Sequence, residues 1–373
     1  MRTRRDILLG FQPPAIGEEE VAAVAETLRS GWLTTGPRAA LLEERLAVYL
    51  EAEHVLAVSS GTAAMHLALL ALDVGPGDEV ITSPITWPAT ANVIEHCGAT
   101  PVFCDVREDD LNLDARLLPP LVTERTKAIL PVHLAGQPCD LDPIHALGLP
   151  VVEDAAHALE SRYRGRKLGG LSDATAFSLY ATKNLAAGEG GLVATNRDDV
   201  ADRIRSMRLT RRGDGSLYDQ VTPGFKANLS DVLAAIALVQ LDKLQAHAEI
   251  RARQFALYDE GLADLDGVEP LGRDARDTHA LHLYAVRIDA NDAGATRDAY
   301  QQALREERIA TSIHFLPVHR LTWFRERYPD QPGLPVAERA GDEVLSLPLS
   351  PAHSDEDILD AIDAIRRVHD RLA

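Results

Sequence analysis

Cysteine is scarce: the 373 residues hold only Cys97, Cys104 and Cys139. An odd, small number builds no disulfide framework, and no two form a metal-type Cys-x-x-Cys pair. The expectation is a reducing compartment. Long apolar runs are missing too; a membrane span takes roughly 20 apolar residues, and nothing approaches that. The opening Met1-Arg2-Thr3-Arg4-Arg5 is basic, but the apolar stretch behind it, Ile7-Leu8-Leu9, is too short for the core of a signal peptide. A cytoplasmic location is therefore expected. Basic charge is also short: 38 Lys and Arg stand against 57 Asp and Glu, a formal net charge of −19. That balance argues against a duplex nucleic-acid surface and against an anionic membrane surface. It still allows an anionic small ligand, which needs only a few placed cations and backbone N–H groups. Internal repeats and low-complexity tracts are absent. A Gly-x-Gly-x-x-Gly behind the first strands is absent as well, which disfavours a Rossmann dinucleotide enzyme.

What is present is alternation. Val21, Val24 and Leu28 give helical spacing over Glu18 to Ser30, with Gly31 as a stop; Ala39 to Leu50 reads as a second helix. Strand candidates at Val55–Val58, Val80–Ser83, Thr100–Asp105, Ala128–Val132 and Val151–Asp154 are interleaved with helices at Gly61–Leu72 and Ala89–Cys97. This predicts an α/β fold with a mainly parallel sheet between helices. Ala174–Leu179 and Gly191–Thr195 bracket a Gly- and Ala-rich loop, and a helix capped by Ser230 runs into the 240s. The texture then changes: strands at Leu281–Ile288 and Ala310–Phe315, helices at Ala295–Glu307 and Asp355–Leu372, and a Pro/Gly loop at Gln331–Pro335. The expected division is a large domain over 1–245 and a smaller C-terminal α+β domain over 246–373.

Three stretches carry chemistry. Ser59-Ser60-Gly61-Thr62-Ala63-Ala64 ends a strand and opens a helix, whose N-terminus offers free N–H groups and a positive dipole end; it is either a phosphate cradle or a plain N-cap. Val151-Val152-Glu153-Asp154-Ala155-Ala156-His157 puts an acidic pair at the C-terminal end of a strand, where open α/β sheets bind ligands. A carboxylate there serves a metal, a ribose, a cationic ring nitrogen or simply the following turn, although no His/Asp/Glu set has metal spacing. Ser178-Leu179-Tyr180-Ala181-Thr182-Lys183-Asn184, followed by Gly188-Glu189-Gly190-Gly191, places a lysine among small uncharged neighbours. Such a lysine gives up its proton more readily than an exposed one, as a Schiff-base nucleophile must; the alternative is an ordinary surface lysine.

These stretches do not stand alone. With Ser30–Pro37, Thr86-Trp87-Pro88-Ala89-Thr90, Pro131-Val132-His133-Leu134-Ala135-Gly136 and Pro223–Asp231 they run in one order across nearly the whole chain. In that order the sequence resembles the DegT/StrS family of nucleotide-sugar aminotransferases, which are fold-type I enzymes dependent on pyridoxal 5′-phosphate (PLP). Glu153–His157, Thr86-Trp87 and Pro223–Asp231 bring it nearest to the enzymes that make UDP-4-amino-4-deoxy-L-arabinose.

The resemblance implies roles. Lys183 holds PLP as the Schiff-base lysine, and Asp154 pairs with the pyridine nitrogen, keeping the ring cationic and electron-accepting. Trp87 stacks on the ring, unless it is a core or interface aromatic. Gly61, Thr62 and Ser178 hold the phosphate, and His157, where many relatives carry Gln, lies near the ring hydroxyl. In the 224–231 segment Lys226, or failing that Asn228, reaches the phosphate of a neighbouring subunit. Trp32, Thr34 and His319 face the sugar nucleotide, with His314–His319 as the second substrate-facing stretch. Tyr180 stands where a His is frequent, which alters the expected sugar pocket. The implied reaction moves an amino group from L-glutamate to a nucleotide-linked keto sugar, at carbon 4 with carbon 3 as runner-up, in a homodimer with shared sites. A sugar dehydratase on the same fold is disfavoured because such relatives replace the lysine. The rival outside enzymes is a PLP-binding regulatory protein without turnover.

Overall fold

The computed structural model describes residues 5–209 and 222–372; Met1–Arg4 of the basic opening stretch lie outside them. β1 (His54–Val58), β2 (Glu79–Thr82), β3 (Thr100–Phe103), β4 (Thr126–Leu130) and β5 (Val152–Asp154) are followed by a short hairpin, β6 (Arg162–Tyr163) and β7 (Arg166–Lys167), then β8 (Ala174–Ser178) and β9 (Gly191–Thr195). β3, β2 and β4 pair in parallel, as do β5 and β8. Parallel bridges at Ile129–Val151 and Val132–Asp154 join the two groups. β9 runs antiparallel between β8 and β1. The result is one sheet in the order β3-β2-β4-β5-β8-β9-β1, in which β9 alone is reversed.

The strands are apolar on both faces because both faces are covered. Val55 and Ala57 pack with Leu42, Leu46 and Leu50 of α2 (Pro37–Leu50) and with Ala234 and Leu238 of a long helix. Leu56 and Val58, one residue out of phase, pack instead with helices of the other layer through Met65, Val93 and Ile204. That alternation is the period of two of a strand with a core on each side.

The second unit is an antiparallel sheet of β10 (Val268–Pro270), β11 (Tyr284–Ile288) and β12 (Val344–Leu347), covered by Arg297–Glu306 and by the amphipathic closing helix Asp355–Leu372. The long helix Asp231–Gly261, capped by the Ser230 side chain at Leu233 N, runs unbroken through 245 and 246, so the division drawn there falls inside one helix. The chain start also departs from the 1–245 unit. Leu9 pairs with Ile309 and lies in the core of the second unit, because its backbone N–H and C=O bond Arg308 and Ala310.

Two other expectations need correction. Ala310–Phe315 is not a strand: only Ser312 bridges to Ser346, and the chain then bends toward the cavity described below. The loop Gln331–Pro335 ends one residue early, since Pro335 already opens a helix. α1 (Glu18–Ser30) ends at Gly31 with φ 75°, as read. Yet Val21 and Leu28 of its apolar stripe are 55% and 54% exposed. The inward face carries Glu20, which bonds Lys243 Nζ at 2.8 Å and Gln240 Nε2 at 2.7 Å.

Candidate active site

A cavity of about 560 Å³ opens where the C-terminal ends of β5 and β8 meet two helix N-termini, with residues 312–315 and His282 closing it from the second unit. Each chemical stretch arrives by its own local geometry. β1 stops at Val58, and Ser60 caps α3 (Gly61–Ala71) by accepting from Ala63 N at 3.0 Å. The N–H groups of Gly61 and Thr62 are left for an anion. Two glycines allow the crowding there: a Cβ on Gly191 would lie 2.3 Å from the Ser60 carbonyl carbon, and one on Gly61 3.0 Å from Ser178 Cβ. The turn therefore holds an N-cap and leaves N–H groups that could hold a phosphate.

Glu153 and Asp154 are neighbours on β5, so they point to opposite faces. Glu153 is fully buried beneath the sheet, where it meets His133 Nε2 at 2.8 Å and Thr175 Oγ1 at 2.9 Å. Asp154 lines the cavity. Its Oδ1 accepts from Ala156 N at 3.1 Å, the turn-capping bond, and its Oδ2 accepts from Thr90 Oγ1 at 2.8 Å. Burial pushes its carboxyl pKa up against those bonds and the charge of Lys183. The carboxylate is thus short of a cation, as it would be beneath a pyridinium N–H.

Lys183 sits in a turn closed by its own N–H on Tyr180 O at 2.8 Å. Burial pulls its ammonium down to about 8, with Asp154 opposing. A buried amine so lowered suits a nucleophile better than a surface lysine does. Trp87 is 65% exposed, its ring 6.3 Å from that of Phe315, so a face is open over the cavity for a flat ligand. His157 accepts Ala135 N–H at Nδ1, 3.3 Å away, and stacks on Phe315 at 5.9 Å. Burial, then the nearby Lys183, holds His157 well below the usual imidazole range; the neutral ring therefore carries its proton on Nε2 and is a donor. A buried carboxylate short of a cation, a buried lysine whose pKa is lowered, a helix N-terminus with free N–H groups and an open indole face together fit PLP.

Gly61, Thr62, Trp87, Asp154, His157, Ser178 and Lys183 all line this cavity. Lys226, Asn228, Trp32 and Thr34 do not. They form a separate surface ridge: Lys226 donates to Asn228 Oδ1, Asn228 Nδ2 donates to Thr35 Oγ1, and Trp32 Nε1 donates to Thr35 O at 3.1 Å. Thr34 O receives Asp231 N at 3.2 Å. His319 is also elsewhere. Its ring is 6.2 Å from that of Phe103, with Glu338 3.5 Å from its Nε2; His314 and Phe315 of the same stretch reach the cavity instead. Sequence reasoning missed His282, Phe11 and Gln12. They lie far from Lys183 in sequence and reach its cavity only when the chain start and the 278–283 loop fold over it.

The family model described as DegT/DnrJ/EryC1/StrS aminotransferase matches residues 14–366. The spore coat polysaccharide biosynthesis protein SpsC of Bacillus subtilis is 43% identical over 99% of both chains. A sugar aminotransferase of Streptococcus pneumoniae, described as putative and solved in its PLP form, superposes with a TM-score of 0.92 at 34% identity, over 98% of this chain and all of that one. DesI, solved in the presence of its TDP-sugar product, superposes at 0.90 with 34% identity, over 99% and 95% of the two chains.

Proposed function

The chain belongs to the DegT/DnrJ/EryC1/StrS aminotransferase family, and from that premise we propose that it transfers an amino group from L-glutamate to carbon 4 of a keto sugar carried on a nucleotide. It is a PLP-dependent sugar aminotransferase. The observation that carries the proposal is the meeting of Lys183, Asp154 and the Ser60–Thr62 cradle in one cavity of sugar size. PLP bound there supplies an electron sink and carries the amino group between the two halves of the reaction.

The chain's own residues do the rest. Gly61, Thr62 and Ser178 hold the phosphate, and Asp154 holds the ring nitrogen protonated. Trp87 covers one face, and His157 Nε2–H donates to the ring oxygen. Lys183 Nζ would take the proton from the amino acid's α-carbon and release it to the cofactor, and the same nitrogen would run that transfer in reverse for the sugar carbon that receives the amino group. The working unit in this reading is a cytoplasmic homodimer. Lys183 is the only Lys or Arg lining the cavity among the described residues, while the phosphate and the donor's carboxylates bring several negative charges. A cation from a second copy, Lys226, would meet them, with the neutral Asn228 amide as the second choice of contact. Trp32 and Thr34 on the same ridge would then face the sugar nucleotide of that copy's site. Trp32 and Leu33 of the ridge are apolar and 54% and 49% exposed, which supports a protein partner there. Turnover of nucleotide 4-keto and 3-keto sugars with glutamate, read by product mass, tests the assignment; amination at carbon 3 would replace carbon 4, and no amination with any of them would overturn it.

A further inference from the structure

Behind Lys183 lies a chain of polar groups that the proposed reaction does not use. Arg251 of the long helix is buried, with 2% of its side chain exposed, and donates through Nη2 to Glu160, itself 10% exposed. Glu160 accepts Asn184 Nδ2 at 2.5 Å, and the same Nδ2 donates to Ala280 O at 2.8 Å. With two acceptors on its nitrogen, the Asn184 amide has one orientation, and its Oδ1 faces His282 Nδ1 at 2.9 Å. A carbonyl oxygen only accepts, so His282 Nδ1 carries the proton and Nε2 carries a lone pair. The His282 backbone is fixed as well: its N–H bonds Ala135 O at 3.1 Å and its C=O accepts Gln12 Nε2 at 3.0 Å. The ring lines the cavity with Lys183, 4.5 Å from the His157 ring. The two imidazoles are thus locked in opposite tautomers, His157 as a donor and His282 as an acceptor.

We propose that His282 is a positioning residue for the transfer: its Nε2 accepts a hydrogen bond from Lys183 Nζ whenever that nitrogen is free and protonated, and the Glu160–Asn184 clamp fixes the tautomer that makes this possible. This rests on the reading of Lys183 as the proton carrier. Within each half of the reaction Lys183 holds the proton in transit, and its flexible stem needs an acceptor that keeps Nζ over the cavity. Asp154 is committed to the ring nitrogen. A histidine protonated at Nε2 would repel an ammonium; one bare at Nε2 holds it. Burial and the charge of Lys183 keep His282 neutral, well below the ordinary imidazole pKa, so the acceptor persists through the working pH range. Arg251 leaves Nε and Nη1 without a partner. A buried ion pair with that much unsatisfied is poor stabilisation, and orientation of Asn184 is what it accomplishes.

The test uses the PLP-loaded enzyme labelled with ¹⁵N-histidine. Long-range imidazole correlations should show His282, assigned by its loss in His282→Gln, bare at Nε2 and protonated at Nδ1 from about pH 6 to 9. Asn184→Leu should release the lock and move the proton to Nε2. In kinetics, Gln offers an oxygen where Nε2 stood, whereas Asn imitates only Nδ1. His282→Gln should stay within about threefold in the rate of each half-reaction, while His282→Asn should lose about tenfold to a hundredfold in kcat at little changed KM, the loss of one hydrogen bond to a charged group. Wild-type His282 protonated at Nε2, or an Asn variant as fast as the Gln variant, overturns the proposal. The tautomer is read without any sugar substrate, so it stands or falls apart from the assignment of the substrate.

Discussion

Thr90 Oγ1 donates to Asp154 Oδ2 across 2.8 Å, and Thr86 Oγ1 lies 2.7 Å behind it. Because the Thr90 hydrogen is directed at the carboxylate, Thr86 must donate in turn, so two buried hydroxyls line up on one charge. They oppose the burial that would neutralise Asp154. Asp154→Asn is nearly isosteric and keeps an acceptor for Thr90, so the melting temperature of the apo-protein should barely move. Transamination should fall about a hundredfold or more, because an amide cannot hold the ring nitrogen protonated. A near-wild-type rate would mean that Asp154 only caps its turn.

Lys183 gives a pH prediction with a definite sign. Its folded pKa of about 8 lies below the ordinary 10.5. Below pH 8 both folded and unfolded chains are protonated, and burying the charge costs its full amount. From 8 to 10.5 the folded lysine has released its proton and the unfolded one has not, so stability rises with pH through that window. In PLP-free protein, Lys183→Met should therefore be more stable than wild type at pH 7, by up to ~3 kcal/mol, and the difference should shrink toward pH 10.5. Urea unfolding of both proteins at several pH values measures it. A difference independent of pH would place the amine in water. The same variant should bind PLP noncovalently and show no turnover.

The Ser59–Ala64 turn and Lys183 were legible as cavity residues because each is a short run at a strand end, where sequence order and spatial order agree. Asp154 was legible as a carboxylate at a strand's edge, but only the alternation of β5 tells it from Glu153, which turns under the sheet to His133. His282 left no local signal. It lies 99 residues beyond Lys183, and the hydrogen bonds that give it a role come from Asn184, Ala135 and Gln12, in three other parts of the chain. The spacing of Val21, Val24 and Leu28 fixed a helix correctly but not its orientation, since a stripe of apolar residues reads the same whether it faces a core or a partner. His319 and His314 share one stretch; the bend after the Ser312–Ser346 bridge decides which of them reaches the cavity, and periodicity does not encode it.

Gly191→Ala probes the cradle. The new Cβ would stand 2.3 Å from the Ser60 carbonyl carbon and 2.6 Å from Gly61 N. Both are backbone atoms, so the N-terminus of α3 must shift. The expected result is a loss of about 1–3 kcal/mol of stability from overpacking together with weaker PLP retention, measured by dialysis against buffer and absorbance of the remaining cofactor. Gly61→Ala, at 3.0 Å from the Ser178 side chain, should do less. Unchanged PLP retention in Gly191→Ala would separate the cradle from the phosphate.

The last prediction concerns the second copy. Lys226 and Asn228 lie outside this chain's cavity, on an exposed ridge tied to Thr35, and the cavity itself offers one lysine and no arginine among the described residues. If the ridge completes a partner's site, two inactive variants should rescue one another. Lys183→Ala and Lys226→Glu are mixed, dissociated and reassembled. Each mixed dimer then has one site with both defects and one with neither, because Lys183 and Lys226 reach a site from different chains. Half of the random dimers are mixed and each has one good site of two, so activity should return to about a quarter of wild type. If Lys226 serves its own chain, every mixed site carries one defect and no activity returns. Lys226→Glu must be folded and inactive alone, checked by circular dichroism and by assay. A charge-neutral Lys226→Gln separates loss of the cation from repulsion: it should bind PLP less tightly than wild type but more tightly than Lys226→Glu, with the gap widest at low salt. Sedimentation at micromolar concentration should give a dimer, and a fully active monomer would overturn the shared site.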